Sequence, residues 1–231
     1  MSSLEGKKAA GYEAGNSVQS GMKVGMGTGS TAVWAIRAVG ERLAAGDLTE
    51  ITAVATSSQS EMECQKLGIP LRSMNDPEID GHLDLTIDGA DEVDPQHNLT
   101  KGGGGALLIE KIVAYSSDQM IVVVDQSKIV DGLGKGFPVP LEVLPLARVP
   151  VMRALRAFGG EPVVRLAERK MGAVITDNGN IIIDVRFPAG IVPAEMEKTL
   201  GTVPGVLGNG LFTHGVSRVI VGHEDGSVSD G

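Results

Sequence analysis

Over the first 125 residues, short apolar runs alternate with segments of helical period, and most of the runs end in a polar loop. Met22–Met26, Ile51–Ala55, His82–Ile87 and Met120–Val124 read as strands, with a shorter one at Ile69–Arg72. Ala32–Leu43 carries Val33, Ile36, Val39 and Leu43 near helical spacing, and residues 4–20, 60–67 and 105–117 complete the helices. Strands that are apolar throughout are buried on both faces. In a strand–helix alternation that means a mostly parallel α/β sheet covered by helices. Ligands of such open sheets sit outside the carboxyl ends of the strands. The loops 25–31, 88–91 and 125–128 lie at such ends, and the glycine loop 101–105 opens the helix between the second and third.

The pattern changes near Gly132-Leu-Gly-Lys-Gly-Phe-Pro. From Leu141 the order reads strand, helix 149–158, strands 162–166, 173–176 and 181–186, then helix 193–200. Asp177-Asn-Gly-Asn180 marks a hairpin, because Asn-Gly tolerates positive φ. This is an α+β module of ferredoxin-like kind. Val216–Val221 is apolar again and is expected to return to the parallel sheet. The expected organisation is one α/β domain from 1–133 plus 206–231, with the smaller module at 134–205 inserted.

Hydrophobic residues make up 42% of the 231, enough for a core of this size. The net charge of −9 disfavours a general nucleic-acid footprint, so an anionic ligand needs local cations. Lys7, Lys101 and Lys128 are candidates. Cys64 is the one cysteine, which rules out an intrachain disulfide and fits a reducing compartment. No apolar run approaches the ~18 residues of a membrane span and no signal-peptide core opens the chain, so a soluble cytoplasmic protein is expected.

Three segments carry chemistry. Gly25-Met-Gly-Thr-Gly-Ser-Thr31 joins a strand to a helix, where glycine amides and the hydroxyls of Thr28, Ser30 and Thr31 suit a phosphate. It is not a Walker A loop, since no Gly-Lys-Ser/Thr follows. It meets the relaxed dinucleotide pattern, but the next strand ends in Thr56-Ser57-Ser58 with no acid, so a small phosphoester is preferred over NAD. Asp88-Gly89-Ala90-Asp91 sets two carboxylates at a strand end, for acid–base work or for capping. It fits no calcium loop, and the histidines at 82, 97, 214 and 223 form no zinc pair, so no metal is expected.

The third segment is Lys101-Gly-Gly-Gly-Gly-Ala-Leu-Leu-Ile-Glu110-Lys111. Consecutive glycines lose much backbone freedom on folding and mark a place where backbone turns sharply or meets a ligand. Glu110 has Ala106, Leu107, Val113 and Ala114 as its helical neighbours. Desolvation there should raise its pKa toward the range of a useful base. The residue pattern alone equally allows a glutamate paired with Lys111 or snorkelling to the surface.

Together these pieces resemble ribose-5-phosphate isomerase, type A. The resemblance is carried by Gly27-Thr-Gly-Ser-Thr-Ala32, Asp88-Gly-Ala-Asp-Glu92, Lys101-Gly-Gly-Gly-Gly-Ala106 with Glu110-Lys111, Lys128, Gly136-Phe-Pro, Thr176-Asp-Asn-Gly-Asn180 and Asn209-Gly-Leu-Phe212. They occur in the family's order along nearly the whole chain.

The resemblance implies a Rossmann-like domain with an inserted α+β lid. It implies reversible conversion of D-ribose 5-phosphate to D-ribulose 5-phosphate in the non-oxidative pentose phosphate pathway, without cofactor or metal, by a cytoplasmic homodimer or homotetramer. It makes Glu110 the base between C2 and C1. Asp88 and Asp91, with Gly89 and Ala90 between them, would handle hydroxyl protons and ring opening. Lys101 with the amides of Gly102, Gly103 and Gly104 would stabilise the enediolate. Lys7, Ser30, Thr31 and Lys128 would hold the phosphate, with Thr28 and Gly29 shaping the loop.

Many members carry Thr-Arg or a similar polar pair where this chain has Leu108-Ile109, so a cation that could tune Glu110 is expected to be missing. A non-catalytic sugar-phosphate sensor would need the phosphate loop but neither Glu110 nor Lys101. A CoA-transferase-like enzyme would use a glutamate as nucleophile, but this chain is short for one and offers no obvious CoA-binding segment.

Overall fold

The structure is a computed structural model and describes residues 4–231. The chain begins α1 (Leu4–Asn16), β1 (Lys23–Met26), α2 (Ala32–Ala45), β2 (Thr52–Ala55), α3 (Ser58–Lys66) and β3 (Leu83–Asp88). It continues β4 (Glu92–Val93), β5 (Leu99–Thr100), α4 (Leu107–Tyr115), β6 (Ser117–Asp125), β7 (Val139–Val143) and α5 (Arg148–Ala157). It ends β8 (Glu161–Val164), β9 (Ile181–Arg186), α6 (Pro193–Gly201), β10 (Val206–Asn209), β11 (Leu211–Phe212), β12 (Val216–Gly222) and β13 (Val228–Asp230). Two compact bodies result: residues up to Ala90 with Ile112–Ile129 and Gly215–Gly231, and Asp91–Lys111 with Val130–His214.

The first body is the α/β one. Its sheet has the order β13-β12-β6-β3-β1-β2, parallel except for β13. The apolar strands are buried as their composition requires, with Val24, Met26, Leu85, Ile87, Ile121 and Val123 in one core with Ala35, Ile36 and Val39 of α2. α1 buries only small residues, Gly6, Ala10, Gly11, Ala14 and Gly15, which lets it lie close. The chain leaves β1 for β2 on one side, then returns to β3 on the other. Met26 pairs with Ile87 at this reversal, so the loops after β1 and β3 start side by side. β6 flanks β3 in parallel register, bringing the loop after Asp125 to the same end of the sheet.

The second body holds β7, α5, β8, β9, α6 and β10 in an antiparallel sheet of order β10-β7-β9-β8. That is the βαββαβ ferredoxin-like arrangement, with Val139, Leu141, Val143, Ile183 and Val185 packed against Val151, Leu155 and Leu200. Residues 206–209, beyond the expected boundary at 205, form β10 and pair with β7. A second, three-stranded sheet, β11-β5-β4, has no counterpart in the sequence reading. Its strands are two residues long, too short to show alternation.

Two expected strands are reduced to bridges. At 69–72 only Leu71 bridges Ala53, since Pro70 has no N–H to extend a ladder. At 173–176 single bridges join Leu166 to Ala173 and Ile175 to Ile181, although the turn at 177–180 forms as expected, closed by Thr176 N–H to the Asn180 carbonyl at 2.8 Å.

Candidate active site

In the first body the loop after β1 is built around Asp88, at the buried end of β3. Asp88 Oδ1 accepts from the Thr28 N–H at 2.9 Å and from the Gly89 N–H at 2.7 Å. A Cβ on residue 27 would lie 2.3 Å from that oxygen, so only glycine lets the loop close over the carboxylate. Thr28 Oγ1 lies 2.7 Å from Thr56 Oγ1 and donates to Ser57 Oγ at 2.6 Å, and the Gly29 N–H donates to Gln59 Oε1 at 3.1 Å. The loop is thus held from β3 and from the start of α3. Thr31 stands at the N-cap of α2 without a side-chain cap bond.

Lys7 of α1 supplies the cation. Its Nζ donates to Ser30 Oγ at 2.8 Å and lies 3.9 Å from Asp125 Oδ2. Asp125 caps the 3₁₀ turn 126–128 by accepting from the Ser127 N–H at 3.0 Å, and this turn carries the half-buried Lys128. Lys7 therefore reaches the 28–31 loop directly, while Lys128 is placed on the neighbouring loop with no hydrogen bond or ion pair to residues 28–31 among the described residues.

The second body holds the other group. Asp91 Oδ2 accepts from the Gly103 N–H at 2.7 Å. Gly102 has φ +105°, and its backbone lies against Leu107, where a Cβ would come within 2.7 Å of the side chain. Those constraints account for glycine there. Lys101 is 2% exposed and Glu110 4%, with Lys101 Nζ 3.5 Å from Glu110 Oε1. The Lys101 ammonium also lies 5.6 Å from the centre of the Phe212 ring. Buried charges are retained where they are paired, and this pair sets a carboxylate and an ammonium together in a site largely closed to water.

The expectation that Glu110 has no nearby cation is therefore corrected. Leu108 and Ile109 leave its own helical turn apolar, but Lys101 provides the charge from the other end of the glycine loop. Pairing of Glu110 with Lys111 is also set aside. Lys111 Nζ goes instead to Glu197 Oε1 at 2.5 Å and the Leu211 carbonyl at 2.6 Å, beside the Phe212 ring. Burial pushes the Lys111 pKa below its ordinary value, against the opposing hydrogen bond and charge of Glu197.

Several supporting residues escape the sequence reading. Thr56 and Ser57 are noticed only as a missing acid, although a hydroxyl pair at a strand end beside a glycine-rich loop is itself a signal. Glu92 accepts from the Gly134 N–H, the Phe137 N–H and Thr100 Oγ1 at 2.8–3.0 Å, so it is a structural carboxylate. Arg165, on the loop after β8, donates to the glycine-loop carbonyls, with no local signal to announce it.

The model of ribose 5-phosphate isomerase A (phosphoriboisomerase A) matches residues 52–226. The ribose-5-phosphate isomerase A of Treponema denticola is 50% identical over 212 residues, covering 91% of this chain and 89% of that protein. That of Synechococcus sp. WH7803 is 50% identical over 232 residues, covering 99% and 96%. Among solved structures, a D-ribose-5-phosphate isomerase in complex with phospho-erythronic acid superposes with TM-score 0.95 at 42% identity, covering 100% of this chain and 99% of that one. The enzyme of Methanocaldococcus jannaschii gives 0.90 at 43%, covering 97% and 98%.

Proposed function

Because the chain belongs to the ribose 5-phosphate isomerase A family, we propose that it interconverts D-ribose 5-phosphate and D-ribulose 5-phosphate through an enediolate, with Glu110 as the proton carrier. The observation that carries the mechanism is the buried Lys101–Glu110 pair beside the glycine loop. Proton transfer next to a carbonyl needs a base, an electrophile for the developing oxyanion, and shelter from water. Glu110 removes the C2 proton of the open-chain aldose, the C2–H electrons form the C1–C2 double bond, and the carbonyl oxygen becomes the oxyanion. Lys101 and the amides of Gly102 and Gly104 stabilise that charge, while the Gly103 N–H is held by Asp91. Glu110 then delivers its proton to C1, while the O2 proton moves to O1 with the help of Asp88 and Asp91, which also assist ring opening. The glutamate base of triosephosphate isomerase, a worked example of this chemistry, performs the same kind of transfer.

The phosphate reading assigns Ser30, Thr31, Lys7 and Lys128 to the phosphoryl oxygens, with Thr28 and Gly29 shaping the loop. It is supported by Lys7 already bonding Ser30 and by the unfilled cap position at Thr31. Gly89 and Ala90 would line the substrate beside Asp88. A homodimer or homotetramer in the cytoplasm follows from the family resemblance, and light scattering of the purified chain tests the assembly.

The deciding assay mixes purified protein with ribose 5-phosphate in deuterated water and follows ribulose 5-phosphate by NMR. Conversion with label exchanged at the transferred position is expected, and it should persist in the presence of chelator. Absence of conversion overturns the proposal, and activity restored only by added metal overturns its metal-free mechanism.

A further inference from the structure

Arg165 is not among the residues assigned above, yet it holds the glycine loop from behind. Its Nη1 donates to the carbonyl of Gly102 at 2.9 Å and to that of Gly103 at 3.0 Å. Its Nε and Nη2 form a fork on Asp184 of β9, at 2.8 and 2.5 Å. The backbone of Arg165 is tied on both sides, by its N–H to the Ile182 carbonyl and by its carbonyl from the Val174 N–H, each at 2.9 Å. The guanidinium is thus aimed by four side-chain hydrogen bonds and two backbone ties within one body, and its side chain is only 17% exposed.

Peptide units are planar and trans, so a carbonyl and the N–H of the same unit point in opposite directions. The unit from Gly102 to Gly103 is gripped at both ends, its carbonyl by Arg165 and its N–H by Asp91. The unit from Gly103 to Gly104 is gripped by Arg165 at the carbonyl alone. Its N–H, that of Gly104, therefore points away from the guanidinium. Gly104 is exposed, and among the described residues its N–H donates to no backbone carbonyl. A cation on the carbonyl side also polarises the unit and strengthens the N–H as a donor.

We propose that Arg165, aimed by Asp184, is a positioning residue that orients the Gly104 amide toward the oxyanion of the enediolate. This rests on the oxyanion role given to the glycine loop in the proposed function. Glycines have no preferred orientation of their own here, so the loop needs an outside group to present the amide before the reaction begins.

The test compares wild type with R165M, R165K and D184N, reading kcat and KM for ribose 5-phosphate, inhibition by phospho-erythronic acid and by inorganic phosphate, and the thermal midpoint. Losing the orientation of one oxyanion donor should lower kcat of R165M about 10- to 100-fold with KM changed by less than about threefold. Phospho-erythronic acid, whose carboxylate resembles the enediolate end, should weaken by a similar factor, while inorganic phosphate inhibits as before. R165K, which keeps the charge but not the fork, should recover part of the loss.

R165M with wild-type kcat and analogue affinity overturns the proposal. Equal weakening of phosphate and analogue, or a lowered melting point with normal kcat, assigns Arg165 a structural role and overturns it as well. If R165M does not fold, D184N decides: a smaller loss of the same pattern supports the proposal, and wild-type values overturn it. A wild type that fails to turn over ribose 5-phosphate overturns the assigned function instead, which separates the two failures.

Discussion

Glu110 and Glu142 are both carboxylates out of water, yet their surroundings give them different work. Glu110 faces an ammonium, the partner that a proton carrier and a developing oxyanion can share. Glu142, fully buried on β7, instead collects neutral donors: Thr176 Oγ1 at 2.8 Å, Asn180 Nδ2 at 2.8 Å and Asn178 Nδ2 at 3.0 Å, all on Oε1. It ties the 176–180 turn to the sheet. An amide at this position keeps one acceptor but buries an NH₂ group, so Glu142→Gln should lose about 1–3 kcal/mol of stability. Urea unfolding should show the lowered midpoint while kcat stays unchanged, and an unaltered midpoint would contradict the structural assignment. Neither environment was legible locally. Apolar neighbours at helical spacing left burial of Glu110 as one of two even readings; the structure buries it, and the cation that meets it arrives through the fold of the glycine loop. Arg165 illustrates the same limit, since the glycine-loop carbonyls it binds lie more than sixty residues away.

At the scale of elements, the strand ends did most to make the site readable. Apolar runs marked the strands and their order of hydroxyl, aspartate and glycine loops marked one end of the sheet. The strand 69–72 failed because a proline sits in it, and the sheet β11-β5-β4 was invisible because long-range pairing, rather than local pattern, creates it. The loop after β1 depends on a single close approach, Gly27 against Asp88. Gly27→Ala should displace the Thr28 N–H from Asp88 and spoil the loop that precedes Ser30 and Thr31. Steady-state kinetics should then show KM for ribose 5-phosphate raised at least about tenfold, the scale of one lost charge-assisted hydrogen bond. A wild-type KM would mean that the 28–31 loop does not bind the phosphate.

At the scale of the whole molecule, the parallel sheet and the ferredoxin-like module were both foreseeable from period and order, whereas the packing that seals each core was not. Cys64 reports on one of those cores. It lies in α3, fully buried, and burial, with a smaller contribution from Glu63, pushes its thiol up to about 12. The unfolded thiol ionises first as pH rises, so folding binds the proton more tightly. This contribution to stability is therefore fully present below about pH 9 and is lost as pH rises toward 12, at up to about 1.4 kcal/mol per pH unit. Urea midpoints for wild type should fall more steeply over that interval than those of Cys64→Ala, and parallel curves would show that the thiol is not buried in solution. The proposed reaction rests on one carboxylate, Glu110, which takes the proton from C2 and returns it to C1. That claim is tested most directly by the turnover of Glu110→Gln with ribose 5-phosphate. The expected result is a kcat lowered by at least about 10³-fold while phospho-erythronic acid still binds; a Glu110→Gln enzyme with wild-type kcat would show that the proton travels by another group.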